Sequence, residues 1–113
     1  MTLRDHLRGA PSVGAAEAVR LVAAGALVVD VRTVRLWSRA HIPGSVPLPL
    51  QELEHRAVEL PDDRLLVTVC TGGLLSRGAS GLLTRLGFDV VNLAGGLMEW
   101  RAAGGPLEGD RVG

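Results

Sequence analysis

Lysine is absent from this 113-residue chain, and cysteine occurs once, at position 70. With a single thiol, neither an intramolecular disulfide framework nor a cysteine-based zinc cluster can form. Excess charge is missing too. The 12 basic residues, all arginine, balance 12 Asp and Glu, for a formal charge of zero. Such a balance gives no electrostatic footprint for nucleic acid or an anionic membrane. Long apolar runs are also lacking: the strongest, Leu21 to Val29, stops at Asp30, well short of a bilayer span. The stretch Met1 to Arg8 carries two Arg, an Asp and a His before any hydrophobic run. It lacks the apolar core of a signal peptide, so a cytoplasmic protein is expected. What is present suits one small globular domain. Apolar residues make up 47% and charged residues 21%, a balance that argues against disorder. A chain of this length can bury a core without disulfides or metal.

No repeat of solenoid length and no low-complexity tract divides the chain. One unit is expected over residues 12–106, with an N-terminal extension at 1–11 and a flexible tail at 107–113. Helical and strand patterns alternate within it. Ala15, Ala18, Val19, Val22 and Ala23 fall on one helical face, ended by Gly25. Leu27–Val31 is a short run rich in β-branched residues, which reads as a buried strand. Leu50, Leu53, Ala57 and Leu60 make a second helical stripe, stopped at Pro61. Pro61-Asp62-Asp63 then turns the chain into a strand over Leu65–Val69. Ala79, Leu82, Leu83 and Leu86 line a third helix ending at Gly87. A strand over Asp89–Leu93 and a short helix over Leu97–Ala102 follow. Strands apolar on both faces, alternating with helices, predict an α/β fold: a small parallel sheet with helices on both faces. Ligands of such folds sit at the carboxyl ends of strands. Two places fit, Asp30 onward and Cys70 onward.

Cys70 closes the strand Leu65–Val69 and opens the loop Thr71-Gly72-Gly73-Leu74-Leu75, with a helix expected from Ser76. Two glycines let the loop curl and turn several backbone N–H groups inward. The helix terminus adds partial positive charge, and Ser76 is a candidate cap. A thiol held there is expected to ionise below its ordinary value, whereas a free cysteine is only about 3% thiolate at pH 7. The competing reading is a small buried hydrophobe that ends a strand. The Gly-Gly loop running into a helix favours the nucleophile.

Val69-Cys70-Thr71-Gly72-Gly73-Leu74-Leu75-Ser76, then Gly87-Phe88-Asp89-Val90, Asn92-Leu93-Ala94-Gly95-Gly96 and Trp100, resemble the C-terminal half of a rhodanese domain. Upstream, Val29-Asp30-Val31-Arg32 and Ala40-His41-Ile42-Pro43-Gly44-Ser45 resemble the other signature of that family. Both motifs occur in order, and the resemblance spans about residues 12–106. It implies a rhodanese-like domain acting as a sulfurtransferase. In that family a cysteine thiolate, here Cys70, takes the outer sulfur of a donor and becomes a persulfide. The implied donors are small sulfane-sulfur compounds: a persulfide, a polysulfide or thiosulfate. The implied acceptors are a thiol, cyanide or a protein; no cofactor and no metal is implied. The loop Cys70 to Leu75 has the typical six-residue length. Its backbone N–H groups, with Ser76, are implied to hold the thiolate and the persulfide alike. Asp30, Arg32, Trp37 and Arg77 are the supporting residues of this reading.

Departures from the family pattern shape further expectations. Leu74 and Leu75 stand where the family commonly carries Arg, Ser or Thr, so thiosulfate is expected to be a poor donor. Arg77 lies just outside the loop, and on a helix its side chain is expected to point away. Leu36 replaces a usual acidic residue and Ala40 a usual Gly, so Arg32 is expected to lack its habitual ion-pair partner. A cysteine phosphatase would need its arginine clamp at position 76, where Ser76 stands. A dinucleotide fold would need glycines after Leu27–Val31, where Arg32 and Thr33 follow. The rival from another class is a rhodanese-like module that binds or regulates without catalysis. Leu74 and Leu75 favour it; Cys70 with both glycines opposes it. Asp30 and Arg32 read as structural braces, His41 as the anchor of a turn, and Trp37 and Trp100 as packing. His6 and His55 offer Cys70 no partner for a dyad, and Gly95-Gly96 reads as a tight strand-to-helix turn.

Overall fold

The β-branched runs pair side by side, as buried strands must to satisfy their backbone groups. A computed structural model describes residues 10–110. Its strands are β1 (Ser12–Val13), β2 (Leu27–Asp30), β3 (Val46–Pro47), β4 (Leu66–Val69) and β5 (Val90–Leu93). They form one parallel sheet in the order β1-β5-β4-β2-β3. Register sets Asp30 beside Val69, so β2 and β4 end level with each other. The helices are α1 (Ala15–Ala23), α2 (Val34–Arg39), α3 (Leu53–Arg56), α4 (Leu74–Arg85) and α5 (Gly96–Ala102).

Alternation along the strands sorts the core into two layers. Leu27, Val29 and Val31 meet Leu53, Ala57, Leu60, Ala79 and Leu83, so α3 and α4 cover one face. Val28, Val67 and Val69 meet Ala18, Leu97 and Trp100, so α1 and α5 cover the other. Connections leaving β1 and β2 run one way across the sheet, and those leaving β3 and β4 run back. With right-handed crossovers, that reversal puts helices on opposite faces and opens a crevice between the ends of β2 and β4. The expected α/β architecture is the one observed.

The details differ in places. The stripe Leu50 to Leu60 is one α-helical turn, α3, between 3₁₀ turns at Leu50–Glu52 and Ala57–Glu59. Glu52 and Arg56 have ψ of −5° and 3°, which tightens the chain on either side. Leu53, Ala57 and Leu60 are nevertheless buried, because 3₁₀ spacing also returns to one face. Leu86 caps the end of α4 and is exposed, not part of its buried stripe. The N-terminal extension expected at 1–11 falls outside the described residues except for Ala10 and Pro11. Those two join the fold: Ala10 packs on the core, and the Pro11 carbonyl accepts the Asn92 N–H at 2.8 Å. The flexible tail expected from 107 is docked as far as Asp110. Leu107 packs beside Trp100, and Glu108 exchanges backbone hydrogen bonds of 2.8 and 2.9 Å with His41. Among the described residues no helix is long and apolar enough to cross a membrane.

Candidate active site

Cys70 follows β4 directly and is 3% exposed, at the crevice between β2 and β4. Beyond it the chain turns through Gly73, whose φ of +91° lies in the left-handed region that glycine adopts freely. That turn starts α4 at Leu74, two residues before the expected Ser76, because Gly73 and not Ser76 takes the capping position. Ser76 therefore sits inside the first helical turn, with its hydroxyl beside the sulfur. The Gly73 N–H donates to Cys70 Sγ at 3.1 Å and the Ser76 N–H at 3.4 Å. Ser76 Oγ lies 3.4 Å from Sγ and donates to the Gly73 carbonyl at 3.3 Å. In the thiol, S–H donates to this hydroxyl; in the thiolate, the hydroxyl turns and donates to sulfur.

Burial pushes the Cys70 thiol up, but the Ser76 hydroxyl and the amides of Ser76, Gly73 and Leu75 push harder the other way. The thiol is held below its ordinary value. A folded-state value below the unfolded one makes the thiolate stabilising at high pH. That contribution fades as pH falls through the folded value. Removing one donor reverses part of the effect. Ser76→Ala is expected to move the midpoint of the alkylation rate upward and to slow alkylation about two- to tenfold near pH 7, one hydrogen bond's worth. Rates measured well above both midpoints should converge.

The loop is also held from behind, by residues the sequence reading did not single out. The Leu97 N–H donates to the Cys70 carbonyl at 2.9 Å and the Met98 N–H to the Thr71 carbonyl at 3.2 Å. These bonds turn the loop carbonyls away from the sulfur. A Cβ on Gly96 would lie 2.3 Å from the Cys70 carbonyl, so that approach requires glycine. The Gly95-Gly96 turn was legible; its grip on the cysteine loop was not. Beneath the loop, Thr68 Oγ1 donates to the Ser76 carbonyl at 3.1 Å. Asn92 Nδ2 donates to Ser12 Oγ at 3.2 Å and faces the Gly73 carbonyl at 3.5 Å.

A cavity of about 550 Å³ opens over Cys70. Val31, Leu36, Leu50, Leu74 and Leu75 form its apolar walls, and Thr33, Gln51, Thr71 and Gly72 its polar parts. Arg32 also borders it, and it is held in an ion pair although position 36 is not acidic. Asp30, fully buried at the end of β2, takes Arg32 Nε at 3.0 Å and Nη2 at 2.8 Å. Nη2 further donates to the Ala40 carbonyl at 2.7 Å. The partner is the carboxylate two residues upstream, not position 36. Leu36 is thereby free to be a wall of the cavity.

Residues 14–103 match the family model for the rhodanese-like domain. The chain belongs to the rhodanese-like domain family. It is 35% identical over 78 residues to the thiosulfate sulfurtransferase GlpE of Pseudoalteromonas translucida, covering 68% of this chain and 74% of that one. It is 38% identical over 102 residues to the HTH-type transcriptional regulator Rv0324 of Mycobacterium tuberculosis, covering 87% of this chain. There it spans only 45% of the relative's length, so less than half of that protein is represented. A crystal structure of a rhodanese-related protein from Thermoplasma volcanium matches with a TM-score of 0.82 at 28% identity, over 87% of this chain and 97% of that one.

In this rhodanese-like domain Arg77 does not border the cysteine cavity. It lines a second cavity of about 410 Å³ with Ser12, Asn92 and Gly95, on the β1 and β5 side of the loop, and the two cavities share Gly72 and Leu74 as a common wall. Trp37 is likewise outside the cysteine cavity. Its Nε1 donates to Ser45 Oγ at 2.9 Å, and its ring stacks on His41 with centroids 3.7 Å apart. His41 Nδ1 meets the Trp37 carbonyl at 2.7 Å and Nε2 the Glu108 carboxylate at 3.2 Å. Both side chains brace the turn and the docked C-terminal segment. Neither reaches the sulfur.

Proposed function

We propose that this domain is a sulfurtransferase in which Cys70 carries sulfane sulfur as a persulfide. The observation that carries the reading is the convergence of two amides and one hydroxyl on a thiol held below its ordinary ionisation. The thiolate attacks the outer sulfur of a donor, the donor's S–S bond breaks, and the electron pair leaves with the remaining fragment. With thiosulfate that fragment is sulfite. The new terminal sulfur is anionic, and the loop amides beside Cys70 favour that charge as they favour the thiolate. An acceptor thiol, cyanide or a protein cysteine then attacks the terminal sulfur and releases the Cys70 thiolate. Every step is a displacement at sulfur, and no cofactor enters the scheme. A thiol kept free for this work suits a reducing compartment, which is the ground for placing the protein in the cytoplasm.

Intact mass tests the reading. Incubation with sulfane-sulfur donors should add roughly 32 Da, labile to reductant, and prior alkylation of Cys70 should prevent it. A wild-type protein that gains no labile sulfur from thiosulfate, polysulfide or any persulfide would reject the enzyme. The reading left standing is then a binding or regulatory module. The apolar rim of Leu74 and Leu75 and the likeness to a transcriptional regulator favour that second reading.

A further inference from the structure

We infer that the cavity over Cys70 is built for an organic persulfide, R–S–SH, with an uncharged apolar R group, and not for a small anion. The inference rests on the sulfurtransferase reading above and specifies its donor. Three observations lead to it. The first is size. At about 550 Å³ the cavity falls in the range of sites that enclose a small organic molecule, of which thiosulfate would fill a fraction.

The second is charge. A dianion entering an apolar cleft needs cations or donors to replace its water. Among the described residues Arg32 is the one cation on the cavity wall, and Asp30 and the Ala40 carbonyl already engage it. Arg77 borders the other cavity. The Gly73 and Ser76 amides are aimed at Sγ.

The third is exposed apolar surface next to the reacting atom. Leu74 is 76% exposed, Leu75 56% and Leu36 41%, and all three border the cavity with Val31 and Leu50. Leucines left in water around a reactive sulfur gain free energy when an apolar body covers them. An R group lying against Leu36, Leu74 and Leu75 directs its terminal sulfur toward Cys70.

The transfer balances. The Cys70 thiolate attacks the terminal sulfur of R–S–SH, forming a Cys70–S–S bond as the donor's S–S bond breaks. The bonding pair leaves on R–S⁻, and the proton of the terminal sulfur passes to it. Products are R–SH and the Cys70 persulfide anion. Nothing else is consumed.

Methyl, propyl and pentyl persulfide, generated in situ at pH 7, test the inference. The rate of the roughly 32 Da gain is divided by the rate of each probe with free cysteine, which removes intrinsic reactivity. A fully buried methylene corresponds to about a fourfold gain, so two- to fourfold per methylene is expected, and pentyl, four methylenes longer, should exceed methyl by roughly 16-fold or more. Leu36→Gln should cut the pentyl-to-methyl ratio severalfold. Being a ratio, it does not depend on how much of the variant folds. Equal normalised rates along the series would overturn the apolar-donor inference and leave the sulfurtransferase standing. A length dependence unchanged by Leu36→Gln would overturn the placement of R against this wall. No sulfur uptake from any of the three probes would overturn the apolar-donor inference, and the sulfurtransferase reading falls with it only if thiosulfate and polysulfide load no sulfur either.

Discussion

Asp30→Ala is expected to destabilise the domain by about 3–5 kcal/mol and to lower its melting temperature by roughly 15–25 °C. Asp30 is fully buried and the Arg32 side chain is only 9% exposed, so removing the carboxylate strands a guanidinium away from water. Small domains have only about 5–15 kcal/mol in total, and the loss is a large share of that. Position adds to it. Val31, between the pair, donates its N–H to the Val69 carbonyl and accepts from Leu50, tying β2 to β4 and to the 3₁₀ turn under the cavity. Asp30→Asn keeps an acceptor for the Arg32 N–H and Nε, and should cost clearly less. Thermal melts of the three proteins check this. An Asp30→Ala protein that melts within a few degrees of wild type would mean that water reaches Arg32 and that the pair is no brace.

That pair also marks where sequence reasoning ran short. The family pattern puts an acid at position 36, and Leu36 there points to no partner for Arg32. A physical cue pointed elsewhere. Asp30 ends an otherwise apolar buried strand, and a charge in that place needs a counter-charge within a few residues. The strands β2, β4 and β5 were legible because each is a short, mainly apolar run rich in valine, with one polar residue apiece. β1 and β3 hold two residues each, and their partners, Asn92 and Leu93 for β1 and Val29 and Asp30 for β3, are distant in sequence. α2 has no buried residue, so it offered no apolar stripe to read. Cys70 and its two glycines announced the loop. Which atoms touch the sulfur depended on where α4 begins, and an offset of two residues turned Ser76 from a cap into a donor. The amides of Leu97 and Met98 carry no side-chain signature at all.

Leu75→Arg is expected to raise kcat/KM for thiosulfate about tenfold or more. A guanidinium at that position stands on the cavity wall beside Cys70, where it can give charge-assisted hydrogen bonds to an incoming dianion. One such bond contributes on the order of 1.5–3 kcal/mol, a tenfold to hundredfold change in productive binding. The wild-type wall offers nothing comparable, since Arg32 is engaged by Asp30 and Ala40. An alkyl persulfide loses a leucine contact in the same substitution, so its rate should hold level or fall. The two donors thus move in opposite directions, which a general gain or loss of reactivity at Cys70 would not produce. Arg77→Ala completes the test. Arg77 lines the cavity on the β1 and β5 side, and its removal should change thiosulfate turnover by less than about twofold. Brisk wild-type turnover with thiosulfate that collapses in Arg77→Ala would show that this side chain crosses the loop to serve the anion. The cavity over Cys70 would then be an anion site after all, with its charge supplied from α4.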